Sequence, residues 1–176
     1  MRYIFLAVIL LAFAAAGTYV YLGGMREPIV TTETTATPLL LAGQPYHGLV
    51  NSDKFGQIFR QAKAVQDQKQ LPGATALANF YRNDPETAHD SVQAFIGLTV
   101  TDTLAKLPAG FRYRVVPAGQ RVVAARLQGV SYLLSPNMLY PAALEAVKQQ
   151  KLTPRGDFYL EQFGTNEASE VWVGVK

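Results

Sequence analysis

The chain has 176 residues, 49% of them hydrophobic, with 16 basic and 13 acidic side chains and a formal net charge of +3. The charges are scattered and no run of Lys or Arg is long enough to track a phosphate backbone, so no nucleic-acid partner is expected. Cysteine is absent, which excludes disulfides, thiolate metal sites and a cysteine nucleophile.

Arg2 is followed by an uncharged run, Tyr3 to Leu22. As a helix, at about 1.5 Å per residue, that run is about 30 Å long, the thickness of a bilayer core. Tyr3 at one end and Tyr19 and Tyr21 at the other fit the aromatic belts of a membrane interface, and Gly23-Gly24 ends the run. This predicts a transmembrane anchor over 1–24 and a linker over 25–29. The competing reading is a signal peptide, with its apolar core at 4–13 and a small-residue cleavage site in AFAAAG. The run continues past that site through Tyr19-Val20-Tyr21-Leu22, which favours the anchor. Arg2 and the α-amino group favour a cytoplasmic N-terminus, so a domain outside the cytoplasm is expected.

The remainder repeats. Shifted by 81 positions, 30–71 falls on 111–152 without a gap: Gly48 meets Gly129, Phe59 meets Tyr140, Ala62 meets Ala143 and Leu71 meets Leu152. ALANFY (76–81) falls near DFYLEQ (157–162) at a shift of about 80, and AFIGLTV (94–100) falls on VWVGVK (171–176) at 77. Two copies, 30–100 and 111–176, are joined by TDTLAKLPAG. Each opens with an extended stretch, TPLLLAGQ or QRVVAARLQ, closed by Gly48 or Gly129.

A helix follows in each copy. In the first, Asn51-Ser52-Asp53 offers the cap, and Phe55, Ile58, Phe59, Ala62 and Val65 make the apolar stripe. In the second, Ser135 is the expected cap with Pro136 at the first helical position, and Leu139, Tyr140, Ala143, Leu144 and Val147 make the stripe. Two strands end each copy. Val92, Ala94, Ile96, Leu98 and Val100 alternate with Phe95, Gly97 and Thr99, and Val171, Val173 and Val175 alternate with Glu170, Trp172 and Gly174. The expected fold is α+β: two pseudo-symmetric β-α-β-β repeats form one antiparallel sheet with both helices on one face, preceded by the transmembrane helix.

The face opposite the helices is the expected binding floor. On the sequence pattern it carries Phe95, Trp172, Tyr159 and Phe163, with Asp157, Glu161 and Glu170 among them. Aromatic walls around carboxylates suit an apolar or cationic organic molecule, through stacking, cation–π attraction and charge pairing. The first copy has Leu77, Asn79 and Tyr81 where the second has Asp157, Tyr159 and Glu161, so the acids belong to the second copy alone. His47 beside Gly48 reads as structural. Asp84, Glu86, His89 and Asp90 crowd one loop, but NDPE is first a turn sequence, and no metal or cofactor is expected.

Several of these features resemble the GyrI-like effector-binding domain, found in gyrase-inhibitor-like proteins and in multidrug-responsive transcription activators. They are HG at 47–48 and QG at 128–129, NFYRNDPE at 79–86, KLTPRGDFYLEQF at 151–163 and the Val-rich last strand, so the resemblance covers 30–176. It implies a concave pocket between pseudo-symmetric halves that accepts hydrophobic, often cationic compounds, with an acid on the second copy's strand as counter-charge. By position that acid is Asp157, with Tyr159 beside it. The family more often has Glu there, and Glu161 on the same face is the other candidate. The expected site is Asp157, Tyr159, Glu161, Phe163, Trp172, Phe95 and Tyr81, and the expected function is membrane-tethered binding of hydrophobic or cationic small molecules as a sensor or scavenger. The membrane is a second expected partner. A hydrolase using a pocket carboxylate and a protein-interaction module at the membrane are the alternatives.

Overall fold

The computed structural model describes residues 2–85, 91–132, 134–164 and 167–176. Helix α1 (Arg2–Tyr21) is followed by strands β1 (Ile29–Thr34) and β2 (Leu39–Gly48), then helix α2 (Asp53–Asp67). Strands β3 (Ala74–Tyr81), β4 (Val92–Val100), β5 (Arg112–Val116) and β6 (Arg121–Gln128) come next, then helix α3 (Ser135–Gln149), β7 (Pro154–Gly164) and β8 (Ala168–Val175). The fold is α+β. All eight strands form one antiparallel sheet in the order β1-β6-β8-β7-β3-β4-β2-β5.

Two of these strands lie outside the β-α-β-β pattern expected from sequence. Edge strand β1 pairs with β6, and edge strand β5 pairs with β2, so each edge is closed by a segment distant in the chain. Helix α1 has a mean hydropathy of 2.2 and none of it is buried, so it is long and apolar enough to cross a membrane. Its end is docked on the domain. The Leu22 carbonyl accepts from the Ser131 amide at 3.1 Å, and Gly23 sits where an added Cβ would lie 2.5 Å from the Gly129 carbonyl.

Helix α2 begins as its sequence dictates, with Ser52 as N-cap and its Oγ accepting from the Phe55 amide at 3.2 Å. It buries Phe55, Ile58, Ala62 and Val65. Helix α3 differs from expectation at its start. Ser135 is its first helical residue, Leu134 is the N-cap, and no side chain caps it; Pro136, which has no amide hydrogen to leave unpaired, occupies the first turn. Helix α2 packs on β2, β3 and β4, while α3 packs on β1, β6 and β8. The centre of the sheet, where β3 meets β7, is therefore left between the helices.

The opposite face of the sheet is the larger departure. The sequence pattern predicts a more polar surface there. Instead Leu41, Phe80, Phe95, Val122, Phe158 and Leu160 form a second buried cluster to which no helix residue belongs among the described residues. Gly43 and Gly97 pair across β2 and β4 where backbones nearly touch, so that a Cβ on Gly97 would lie 2.1 Å from the Ala42 carbonyl. A glycine pair of this kind marks a close backbone approach that any side chain would block. Arg114 lies over two rings of this face, its guanidinium carbon 4.6 Å from the Phe80 ring centre and 5.7 Å from that of Phe95.

Candidate functional site

The gap between the helices is a groove of about 480 Å³ above the β3–β7 seam. Its floor comes from that strand pair: Asn79 opposite Glu161, with Tyr81 further along β3 and Phe163 further along β7. Phe55, Phe59 and Arg60 of α2 make one wall, and Tyr132, Pro136 and Tyr140 at the start of α3 make the other.

Glu161 is 7% exposed, at the bottom of this groove. A carboxylate at such depth needs donors, and two are provided on the neighbouring strand. Asn79 Nδ2 donates to Glu161 Oε2 at 2.9 Å, and Tyr81 Oη donates to the same oxygen at 3.0 Å. The carboxylate fixes the orientation of the Asn79 amide, because only its nitrogen can donate. That leaves Asn79 Oδ1 facing the other way, buried and without a hydrogen-bond partner among the described residues. Burial, with the charge of Glu161 added, pushes the Tyr81 hydroxyl well above the ordinary tyrosine range. Tyr81 therefore keeps its proton and remains a donor at neutral pH.

The seven residues expected from sequence to share a face are divided by the structure. Tyr81, Glu161 and Phe163 come together in the groove, on the helix side. Tyr159 is on that side too, opposite Tyr81 and within the core beneath the helices, but it does not line the groove. Burial, then the charges of Asp84 and Asp157, raise its hydroxyl. Phe95 and Trp172 lie on the other face, with Phe80, Phe158 and Leu160. Asp157 is half exposed and pairs with Arg155 at 3.1 Å, ahead of the irregularity between Pro154 and Tyr159 in the β7–β8 pairing. Of the two acids, it is Glu161 that occupies the buried position. The register explains the correction: Tyr159 pairs with Val173 and Glu161 with Val171, which puts both on the face of the helix-packed valines.

Sequence reasoning left out Asn79 as a site residue, although a lone polar side chain inside the apolar strand ALANFY was its signal. Arg60, Tyr132 and Tyr140 carried no signal, because the helix pattern alone does not say which residues flank a gap. Glu170, expected beside the aromatics, sits on the far face in a cluster of its own. Arg126 Nη2 lies 2.6 Å from Glu33 Oε1 and 2.6 Å from Glu170 Oε1, and the Trp172 indole also donates to Glu170. Of the loop residues considered for metal, Glu86, His89 and Asp90 lie outside the described residues. Among the described residues no group of His, Asp and Glu is arranged to hold an ion.

No protein-family model matches the chain, and no curated protein matches it by sequence. Solved structures do. The integron cassette protein VCH_CASS2, from the mobile metagenome of Vibrio cholerae, superposes with a TM-score of 0.62 at 10% identity, over 84% of this chain and 95% of that one. The C-terminal domain of EcmrR gives a TM-score of 0.56 at 12% identity, over 85% and 98%. SAV2435 bound to tetraphenylphosphonium gives 0.54 at 14% identity, over 86% and 94%. The chain shares their fold. At these identities the likeness extends to architecture, and the side chains of the groove must be argued on their own chemistry.

Proposed function

We propose that this chain is a membrane-tethered domain of the GyrI-like effector-binding type, which takes hydrophobic cations into the groove between α2 and α3. The observation that carries the reading is the buried Glu161 carboxylate, hydrogen-bonded by Asn79 and Tyr81 at the bottom of an aromatic-walled groove. Two donors satisfy the buried carboxylate, and a low-dielectric site strengthens the attraction between a carboxylate and a monovalent cation. Phe59, Tyr81, Tyr140 and Phe163 offer ring surface to the ligand's apolar body. The ligand of SAV2435, tetraphenylphosphonium, is a cation of this kind and the natural first probe.

The reading includes two pseudo-symmetric repeats, 30–100 and 111–176. Support comes from the strand order, which keeps its form when β1, β2, β3 and β4 are exchanged with β5, β6, β7 and β8. The β3–β7 register supports it too, since Phe80 faces Leu160 at the shift found between ALANFY and DFYLEQ. The apolar α1, with Arg2 at its start, supports an anchor with the domain outside the cytoplasm.

Thermal shift tests the proposal. Tetraphenylphosphonium is expected to raise the melting temperature of the full chain, while the neutral triphenylphosphine oxide does so weakly. Replacing Glu161 by Gln removes the difference between them. A shift of equal size for the cation and the neutral compound would reject the counter-charge role.

A further inference from the structure

The groove has more polar equipment than a simple lipophilic cation uses. Asn79 is only 3% exposed and is one of the groove's lining residues, and its buried Oδ1 is an acceptor with no donor among the described residues. An unpaired acceptor at that depth is unfavourable unless a ligand or water satisfies it. A tetraphenyl or quaternary cation has no N–H to give it. A protonated amine has three, enough to reach both the Glu161 carboxylate and the Asn79 carbonyl.

The wall above adds the opposite charge. Arg60 and Lys63, one turn apart on α2, both line the groove. Lys63 is paired with Asp67 at 3.0 Å, but Arg60 has no acidic partner among the described residues. Its guanidinium folds back along the helix over Gly56, where an added Cβ would lie 3.1 Å from Arg60 Nη1. A basic group beside the acid suits a ligand that carries an anion as well as a cation. A sphere of the groove's volume is about 10 Å across, which is room for one small headgroup.

The groove also lies next to the apolar helix. The Ser131 amide donates to the Leu22 carbonyl at the end of α1, and Tyr132, the next residue, is a wall of the groove. Arg26 donates to the Gln128 carbonyl in the same place, a second contact that holds the end of α1 against the strand leading to the groove. If α1 spans a bilayer, Tyr132 is at the headgroup level.

From these observations we infer that the groove's ligand is a zwitterionic amphiphile of the phosphoethanolamine class, with its ammonium on Glu161 and Asn79 and its phosphate on Arg60 and Lys63. The inference rests on the proposed cation-binding role of the groove. Membrane lipid is one source of such a headgroup, and a water-soluble phosphodiester is the other.

Titration calorimetry on the full chain in maltoside micelles tests it, with lysophosphatidylethanolamine and lysophosphatidylcholine of equal chain length compared at equal mole fraction. Dodecylammonium, glycerophosphoethanolamine and tetraphenylphosphonium complete the set. The phosphoethanolamine lipid is expected to bind about 10-fold or more tightly than the phosphocholine lipid, for the lost hydrogen bonds. Arg60→Gln with Lys63→Gln, on the surface of α2, is expected to weaken it by a similar factor and to tighten dodecylammonium. Glycerophosphoethanolamine binding as well as the lipid would assign a soluble source, and binding of the lipid alone a membrane source; both support the headgroup assignment. Equal binding of the two lysolipids, or no response to the α2 double variant, overturns the inference. In that case a Glu161-dependent response to tetraphenylphosphonium still upholds cation binding, whereas its absence rejects both.

Discussion

Asn79 and Glu161 face each other across the seam between β3 and β7, 82 positions apart in the chain, with Asn79 Nδ2 donating to Glu161 Oε2 at 2.9 Å. This contact joins the two halves of the sheet at the point the helices leave uncovered. It holds the acid in place and fixes the orientation of the Asn79 amide.

The second donor gives a stability prediction. Tyr81→Phe removes a hydrogen bond to a buried carboxylate and should lower unfolding stability by about 1.5–3 kcal/mol. In a Glu161→Gln background the same change should cost clearly less, because the acceptor is no longer charged. Chemical denaturation of the four proteins measures this as a double-mutant cycle. Equal costs in both backgrounds would mean that the phenol does not serve the acid.

The glycine pair gives a second one. A methyl at position 97 would meet the Ala42 carbonyl at 2.1 Å, and backbone on both sides cannot give way cheaply. Gly97→Ala is expected to destabilise the domain by about 3 kcal/mol. Gly119→Ala is the contrast for space: Gly119 has nothing within 4 Å, so only the cost of its left-handed backbone, φ 77°, applies. A smaller loss at 97 than at 119 would contradict the close approach.

On the far face, Arg114 covers two aromatic rings while burial and the nearby Arg82 and Arg112 charges lower its pKa. Arg114→Ala should lose about 1–2 kcal/mol through the exposed rings and the lost cation–π contact. Bound ligand should protect the variant as well as it protects wild type, because the rings lie on the other side of the sheet from the groove.

The acids around Arg126 respond to pH in opposite senses. Burial raises the Glu170 pKa despite its bonds to Trp172 and Arg126, whereas the hydrogen bond from Arg126 lowers that of Glu33. A raised folded-state pKa means that the folded protein holds the proton more tightly. The Glu170 contribution therefore falls as pH rises from the ordinary glutamate range through the raised value. The Glu33 contribution is present above that range and fades as pH drops through its lowered value. Trp172 is the one tryptophan of the chain and donates to Glu170. Its emission should titrate with a midpoint above the ordinary glutamate range, and Glu170→Gln should abolish that step. A midpoint at or below the range would contradict the burial argument.

Much of the fold was legible because its periodicity was strong. The helical stripes of α2 and α3 and the valine alternation of β4 and β8 each had one apolar side, and the structure puts those sides where the pattern pointed. The face of β7 was not legible. Phe158 and Leu160 alternate with Tyr159 and Phe163, so both sides of that strand are apolar, and both sides of the sheet are buried. Alternation cannot assign a face when both are cores. The residues GDFYLEQF pointed to a site, and Glu161 and Phe163 do enter the groove, but on the side the helices flank. The edge strands β1 and β5 were also illegible, since each owes its place to a partner in the other half of the chain.

The central claim is that a cation binds on the helix side of the sheet against Glu161, and calorimetric titration of tetraphenylphosphonium tests it most directly. Three proteins are needed: the wild-type chain, Glu161→Gln, and Trp172→Phe on the opposite face. The account predicts that Glu161→Gln weakens binding by about 2–5 kcal/mol, or about 30-fold or more, while Trp172→Phe leaves it unchanged. Binding that survives Glu161→Gln and is lost with Trp172→Phe would place the site on the other face and contradict the account.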